Sequence, residues 1–251
     1  MRYGKAVTLG ILVLLVQSAC AERILFYEVS SSSSYMVEKD YSYFDHLLKA
    51  EGFDVATLTR GELTKETLEN YDILVIQELN KDLTTQEISA IIWFVLNKGK
   101  GLFINGDGGG RANQLAVPFG MTIDDGVLFD TTDPIPGADD TDIFTIDKFE
   151  DYPELHELKD SVTKIGFYKG RGLKVSGDTM PFMRGDTDTF SDTGSFPSGS
   201  QPPVAAASLL GEGRVFLLTD ADMLHNDNIN QYHNRNLGMN IIKWLIAREE
   251  G

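Results

Sequence analysis

The chain has 251 residues, 38 of them acidic and 22 basic, for a formal charge of -16 at pH 7. That length suits one α/β domain with a full core. The acidic balance excludes a nucleic-acid partner, because phosphate binding needs clustered Lys and Arg.

The first residues stand apart from the rest. Arg2 and Lys5 precede the apolar run Ala6 to Val16, and Ala19-Cys20-Ala21 supplies a small-x-small cleavage pattern, so residues 1–21 read as a secretion signal. The run is shorter than the roughly 20 apolar residues that span a bilayer. Cys20 is the only cysteine. It leaves with the signal or, if cleavage falls just before it, becomes the lipidated first residue of a membrane-tethered lipoprotein, an alternative weakened by Gln17 where an aliphatic residue is usual. Either way residues 22–251 form a single domain without disulfide, thiolate nucleophile or cysteine metal ligand. The expected location is extracytoplasmic: secreted, periplasmic or at the cell surface.

Arg23 to Tyr27 is an apolar run of strand length, as expected of a central strand buried on both faces. Ser30 to Ser34 predicts a flexible polar loop at its carboxyl end. Phe44, Leu47 and Leu48 recur at helical spacing up to Gly52, Phe53 to Leu58 alternates as a second strand, and Leu63, Leu68 and Tyr71 suggest a short connecting helix. Ile73 to Ile76 is the third strand. Thr84 and Glu87 form a capping box for a helix carrying Ile88, Ile91, Ile92, Phe94 and Val95. That helix ends near Asn97-Lys98-Gly99, and the strand Leu102 to Asn105 follows. Strands alternating with helices predict a three-layer α/β fold with a mostly parallel central sheet.

From Met121 the pattern loosens into an irregular insertion spanning about 121–203. Ile143 to Ile146 and Val162 to Tyr168 are strand candidates, Tyr152 to Leu158 a turn of helix, and residues 176–203 a long exposed loop. Regularity returns with Val204 to Leu209, a turn at Gly211-Glu212-Gly213, a strand from Arg214 to Leu218, and a last helix from about Asn230 to Ala247 with Leu237, Ile241, Trp244 and Leu245 at core spacing.

The organising stretch is Gly101-Leu102-Phe103-Ile104-Asn105-Gly106-Asp107-Gly108-Gly109-Gly110-Arg111, a buried strand that ends in a glycine turn and leads into a helix from Ala112. In α/β folds such a junction is where ligands sit. Tyr71 to Ile76, the capped helix, Gly99 to Ile104 with its turn, the closing Gly213 to Asp222, and Asn240 to Leu245 together resemble the class I glutamine amidotransferase-like superfamily. Within it they are similar to a branch of uncharacterised secreted proteins and of gliding-motility, ABC-transport accessory and intraflagellar-transport domains. The resemblance covers most of residues 23–247, with 121–203 poorly matched, and implies a flavodoxin-like fold. It also implies an absence. Active members carry a cysteine on this turn, activated by a late His and Glu, whereas Asp107 stands here and His225 and His233 are followed by Asn-Asp and Asn-Arg. Acyl transfer through a Cys-His or Ser-His pair is therefore excluded.

The turn lacks the Lys-Ser/Thr of a P-loop, and Arg111 replaces the last glycine of a dinucleotide fingerprint. Parallel strands bring their carboxyl ends to one rim, so the candidate ligand-binding residues are Glu78, Asp107, Gly108, Gly109, Arg111, Asn113, Asp220, Asp222 and His225. The favoured reading is a non-catalytic domain that binds a polar ligand, such as a carbohydrate, or an envelope protein partner, with no cofactor. The alternative is a metal-assisted hydrolase, in which Asp107, Asp220 and Asp222, with His225, hold a divalent cation through oxygen ligands. Asp220 and Asp222 have an equally good plain role as loop and helix caps. His46 and His156 read as structural or surface histidines rather than ligands, and Arg184-Gly185-Asp186 as a chance triplet.

Overall fold

Strands β1 (Arg23–Tyr27), β2 (Asp54–Leu58), β3 (Ile73–Gln77) and β4 (Gly101–Asn105) alternate with helices α1 (Ser42–Ala50), α2 (Lys65–Leu68) and α3 (Thr85–Lys98). The remainder supplies α4 (Asn113–Ala116), β5 (Met121–Phe129), β6 (Ile143–Ile146), β7 (Lys148–Phe149), β8 (Ile165–Tyr168), β9 (Arg171–Val175) and β10 (Met180–Arg184). It ends with β11 (Phe190–Ser191), β12 (Pro203–Leu210), β13 (Gly213–Leu218) and α5 (Asn234–Ile246). This computed structural model describes residues 21–138 and 140–247. Cys20 and nearly all of the expected signal lie outside the described residues.

Eight strands form one mixed sheet in the order β2-β1-β3-β4-β13-β12-β10-β7. The first five are parallel, and β12, β10 and β7 then pair antiparallel. The continuous apolar runs of β1, β3 and β4 follow from this placement, since strands covered on both faces need no polar side. Their residues divide by the two-residue period of a strand. Ile24, Phe26, Ile73, Val75 and Phe103 pack with Phe44 and Leu48 of α1 and with Leu237, Ile241 and Trp244 of α5. Leu25, Tyr27, Leu74, Ile76, Leu102 and Ile104 pack with Ile91, Phe94 and Val95 of α3 and Leu115 of α4.

The capping box forms as expected, with the Thr84 hydroxyl accepting from the Glu87 N–H and the Glu87 carboxylate from the Thr84 N–H. At its other end α3 stops on Gly99 with φ 63°, where a Cβ would come within 2.7 Å of Glu212 Cβ. Only glycine gives both the left-handed turn and the close approach.

Three expectations need correction. Residues 176–203 are not one long loop: Met180–Arg184 is β10, inside the eight-stranded sheet, with Phe182 and Met183 fully buried. The described residues of the insertion carry further strands. A three-stranded sheet β11-β5-β9 lays Met121, Ile123 and Leu173 on the α3/α4 core, and the β6–β8 pair lays Phe144 and Phe167 on the α1/α5 core. β6 and β8 fall on the strand candidates Ile143 to Ile146 and Val162 to Tyr168, whereas β5, β9 and β11 pair antiparallel across long gaps, so no local periodicity announces them. The serine loop is not free either, because Ser30 and Ser31 are buried and hydrogen-bonded.

Candidate functional site

The order β2-β1-β3-β4 reverses direction at β1, so the crevice between the carboxyl ends of β1 and β3 is the expected ligand position. Here the chain closes it. Ser32 N–H donates to Glu78 O at 3.1 Å, Asn80 N–H to Ser30 O at 2.7 Å, and Asn80 Nδ2 to Ser31 O at 3.0 Å. The Ser31 hydroxyl lies between Tyr27 O and Gln77 O, at 2.9 and 3.0 Å. The two loops after β1 and β3 are thus laced together over the switch point.

Beside it the glycine turn leaves β4. Gly106 has φ 96°, its N–H donates to Leu218 O of β13, and an added Cβ would meet Glu78 Oε2 at 2.3 Å. The Glu78 carboxylate accepts the backbone N–H groups of Gly108 and Asp107. A cluster of backbone donors of this kind is what an incoming anion would use; in this protein its own glutamate takes two of them. Burial and the neighbouring Asp107 charge push Glu78 up to about 7.

Asp107 stands on the glycine turn after β4. Its carboxylate is ion-paired with Arg171 of β9, whose guanidinium also donates to Asp125 O. The backbone carbonyl of Asp107 accepts from Gly110 and Ala112, which shapes the turn into α4. Arg171 was invisible to sequence reasoning, since it lies in the stretch that matched the family poorly and no motif surrounds it.

Asp220 follows β13 at 2% exposure and accepts the N–H groups of Tyr168 at 2.8 Å and Met223 at 3.1 Å, with burial and then the Asp222 charge raising its carboxyl well above the usual range. Asp222 accepts the Tyr35 hydroxyl at 2.7 Å. These are the cap-and-tie roles that the sequence left open for both residues. His225 lies between Asp40, at 3.4 Å from Nε2, and Asp227, at 3.7 Å from Nδ1, with its ring edge-on to Tyr35.

The rim therefore gathers Glu78, Asp107, Asp220 and Asp222, but each has its own partner. Among the described residues, the one trio of carboxylates with ligand atoms within 4.8 Å of one another is Asp130, Asp186 and Asp188, in the β5–β6 and β10–β11 connections. Asp107, Asp220 and Asp222 make no such trio. Asp186, the last residue of the Arg-Gly-Asp triplet, belongs to that loop cluster, while Arg184 pairs with Glu150.

Arg111 and Asn113 turn away from the carboxylates. Arg111 Nη1 donates to Gly108 O at 2.9 Å, and its Nε lies 3.7 Å from Asp82. Asn113 clamps Ile123 of β5, donating to its O at 2.9 Å and accepting from its N at 2.7 Å. Together with Asp82, Gly110, Gln114 and Asp125 they line an open cleft of about 500 Å³ next to the glycine turn. Gly108 has φ 58° and backs onto Leu79 O, and Gly109 continues the same 3₁₀ turn. His46 and His156 are exposed, as the sequence suggested.

No family profile matches the chain, and no curated protein matches it in sequence. Solved structures do. The mmIFT52 N-terminal domain superposes with a TM-score of 0.74 at 15% identity, covering 91% of this chain and 99% of that one. A putative ThuA-like protein from Bacteroides uniformis gives 0.63 at 13% identity, over 96% and 98% of the two chains. A putative ThuA-like protein from Parabacteroides merdae gives 0.59 at 13% identity, over 91% of each. At these identities the likeness is one of fold alone.

Proposed function

We propose that this chain is a non-catalytic, extracytoplasmic domain of the amidotransferase-like three-layer architecture. It binds a hydroxyl-rich neutral ligand of the carbohydrate class in the cleft beside the glycine turn, and takes no cofactor. One observation carries this reading: the turn that would bear a nucleophile holds Asp107 locked to Arg171, and Glu78 accepts N–H groups that would otherwise meet a developing negative charge. A site so arranged has neither an attacking group nor an open oxyanion cradle. The cleft still offers carboxylates, carboxamides and a guanidinium at its wall, a donor and acceptor mixture that suits hydroxyl groups better than an anion.

Glycan-array screening followed by calorimetry tests the proposal. Saccharide binding that is weakened by Asp125→Ala, at an exposed cleft position, is the expected result. Turnover of an amide, ester or glycoside that disappears in Asp107→Ala would overturn it, as would saccharide binding indifferent to every cleft substitution.

A further inference from the structure

Gln77 and Asn105 are the last residues of β3 and β4, directly opposite one another in the parallel register. Each continues the face of its strand that carries Val75 and Phe103, the α1/α5 side, and they are 0% and 1% exposed. Asn105 Nδ2 donates to the Tyr41 hydroxyl at 2.9 Å, and that hydroxyl donates in turn to Ala221 O. Among the described residues neither Gln77 Oε1 nor Gln77 Nε2 has a hydrogen-bond partner, and neither does Asn105 Oδ1. Two acceptors and an amide donor pair are thus unmatched on one buried stretch of the sheet.

Leaving such groups dry is costly, because each loses its hydration without a replacement. Native proteins avoid this nearly everywhere. Between them the two carboxamides can both give and accept hydrogen bonds. The Gln77 amide N–H groups would have nothing to give a bare cation, and the acidic groups Asp220, Asp222 and Glu78 around Tyr41 disfavour an anion. Tyr41, bonded to Asn105, is itself buried, and Tyr35 packs edge-on against its ring while donating to Asp222.

We propose that Gln77 and Asn105 form an enclosed hydroxyl-binding site, on the α1/α5 face of the sheet, that holds a small neutral hydroxyl donor-acceptor. Water and the hydroxyl of a polyol share this chemistry. The site is separate from the cleft of the proposed binding function, which lies at the glycine turn and includes neither residue. The failure of one reading leaves the other standing.

The test has a crystallographic and a solution arm. High-resolution crystals of the wild-type chain grown without polyols should show an ordered oxygen within about 2.7–3.2 Å of a Gln77 side-chain polar atom and of Asn105 Oδ1. If that oxygen persists when the crystals are soaked in sorbitol, water is the resident; if sorbitol density replaces it, the site takes ligand hydroxyls. Amide groups that stay dry, or that rotate to bond each other, overturn the proposal. In solution, magnetisation transfer from water to the Gln77 side-chain amide protons should be present in the wild type, and its absence in both water and sorbitol solutions would refute the site without any variant. Gln77→Met, which removes the amide at nearly constant volume, should lower the melting temperature. A rise would mean that the wild-type amide had been buried unpaired.

Discussion

The Arg171 guanidinium and the Asp107 carboxylate form an ion pair that joins β9 of the small three-stranded sheet to the glycine turn after β4, across 64 positions of sequence. The two side chains are only 20% and 14% exposed. The pair therefore ties β9 to the glycine turn and engages the Asp107 carboxylate.

Arg171→Met should cost roughly 3 kcal/mol, because removing one partner of a largely buried pair strands the other charge. Asp107 would then face the Glu78 carboxyl with the Arg171 charge gone. Urea unfolding of the wild type and the variant measures the difference. A loss below about 1 kcal/mol would place the pair in the same class as exposed surface bridges.

Glu78 makes stability depend on pH. In the unfolded chain it releases its proton near its ordinary value of 4.5, whereas burial and Asp107 hold that proton to about 7 in the folded protein. Between these values unfolding releases a proton, so stability falls as pH rises from about 4.5 to 7 and then levels off. Burial also raises Glu28 and Asp220, in the same sense. Glu78→Gln isolates the contribution of Glu78: denaturation at pH 5 and pH 8 should show the wild type losing about 2–3 kcal/mol relative to the variant. Parallel profiles for the two proteins would remove Glu78 from the account.

Glu87 does more than cap α3. Its carboxylate accepts the Tyr27 hydroxyl at 2.6 Å and the Leu63 N–H at 3.4 Å, besides the Thr84 groups. Burial pushes this carboxyl up, but the hydrogen bonds outweigh it and leave Glu87 below the ordinary value. Thr84→Ala should cost about 1 kcal/mol as a lost cap. Glu87→Ala should cost roughly 3 kcal/mol, since it also strands a buried hydroxyl. Equal losses in thermal melts of the two variants would show that the network beyond the cap contributes nothing.

Gly106→Ala tests the close approach at the turn. The residue has φ 96°, and the new methyl group would meet Glu78 Oε2 at 2.3 Å and Ala221 Cβ at 3.0 Å. Backbone strain of about 1–3 kcal/mol adds to displacement of the Glu78 carboxylate. The variant should therefore be less stable and should also lose the pH slope assigned to Glu78. Retention of the full slope would mean that the carboxylate does not rest on the turn.

How much of this was legible beforehand varied along the chain. The first half was readable because each strand and helix there forms by local rules: the apolar runs of β1, β3 and β4, the Thr84–Glu87 box and the Gly99 stop all act within a few residues. Within the insertion β6, β8 and the helical turn after Tyr152 were legible, but β5, β9 and β10 were not, because their partners lie far away in sequence. Phe182 and Met183 look like loop residues until β12 and β7 flank them.

The sequence by itself determined the parallel core, the rim on which Glu78, Asp107, Asp220 and Asp222 gather, and the lack of a cysteine or serine at the turn. Only the tertiary structure decided what those carboxylates do. Arg171 arrives from the insertion to hold Asp107, backbone N–H groups hold Glu78 and Asp220, and Tyr35 holds Asp222. The physical reason is that a charge is recorded in the residue type, whereas its neutralisation depends on groups brought close by folding, and no spacing along the chain encodes that closeness.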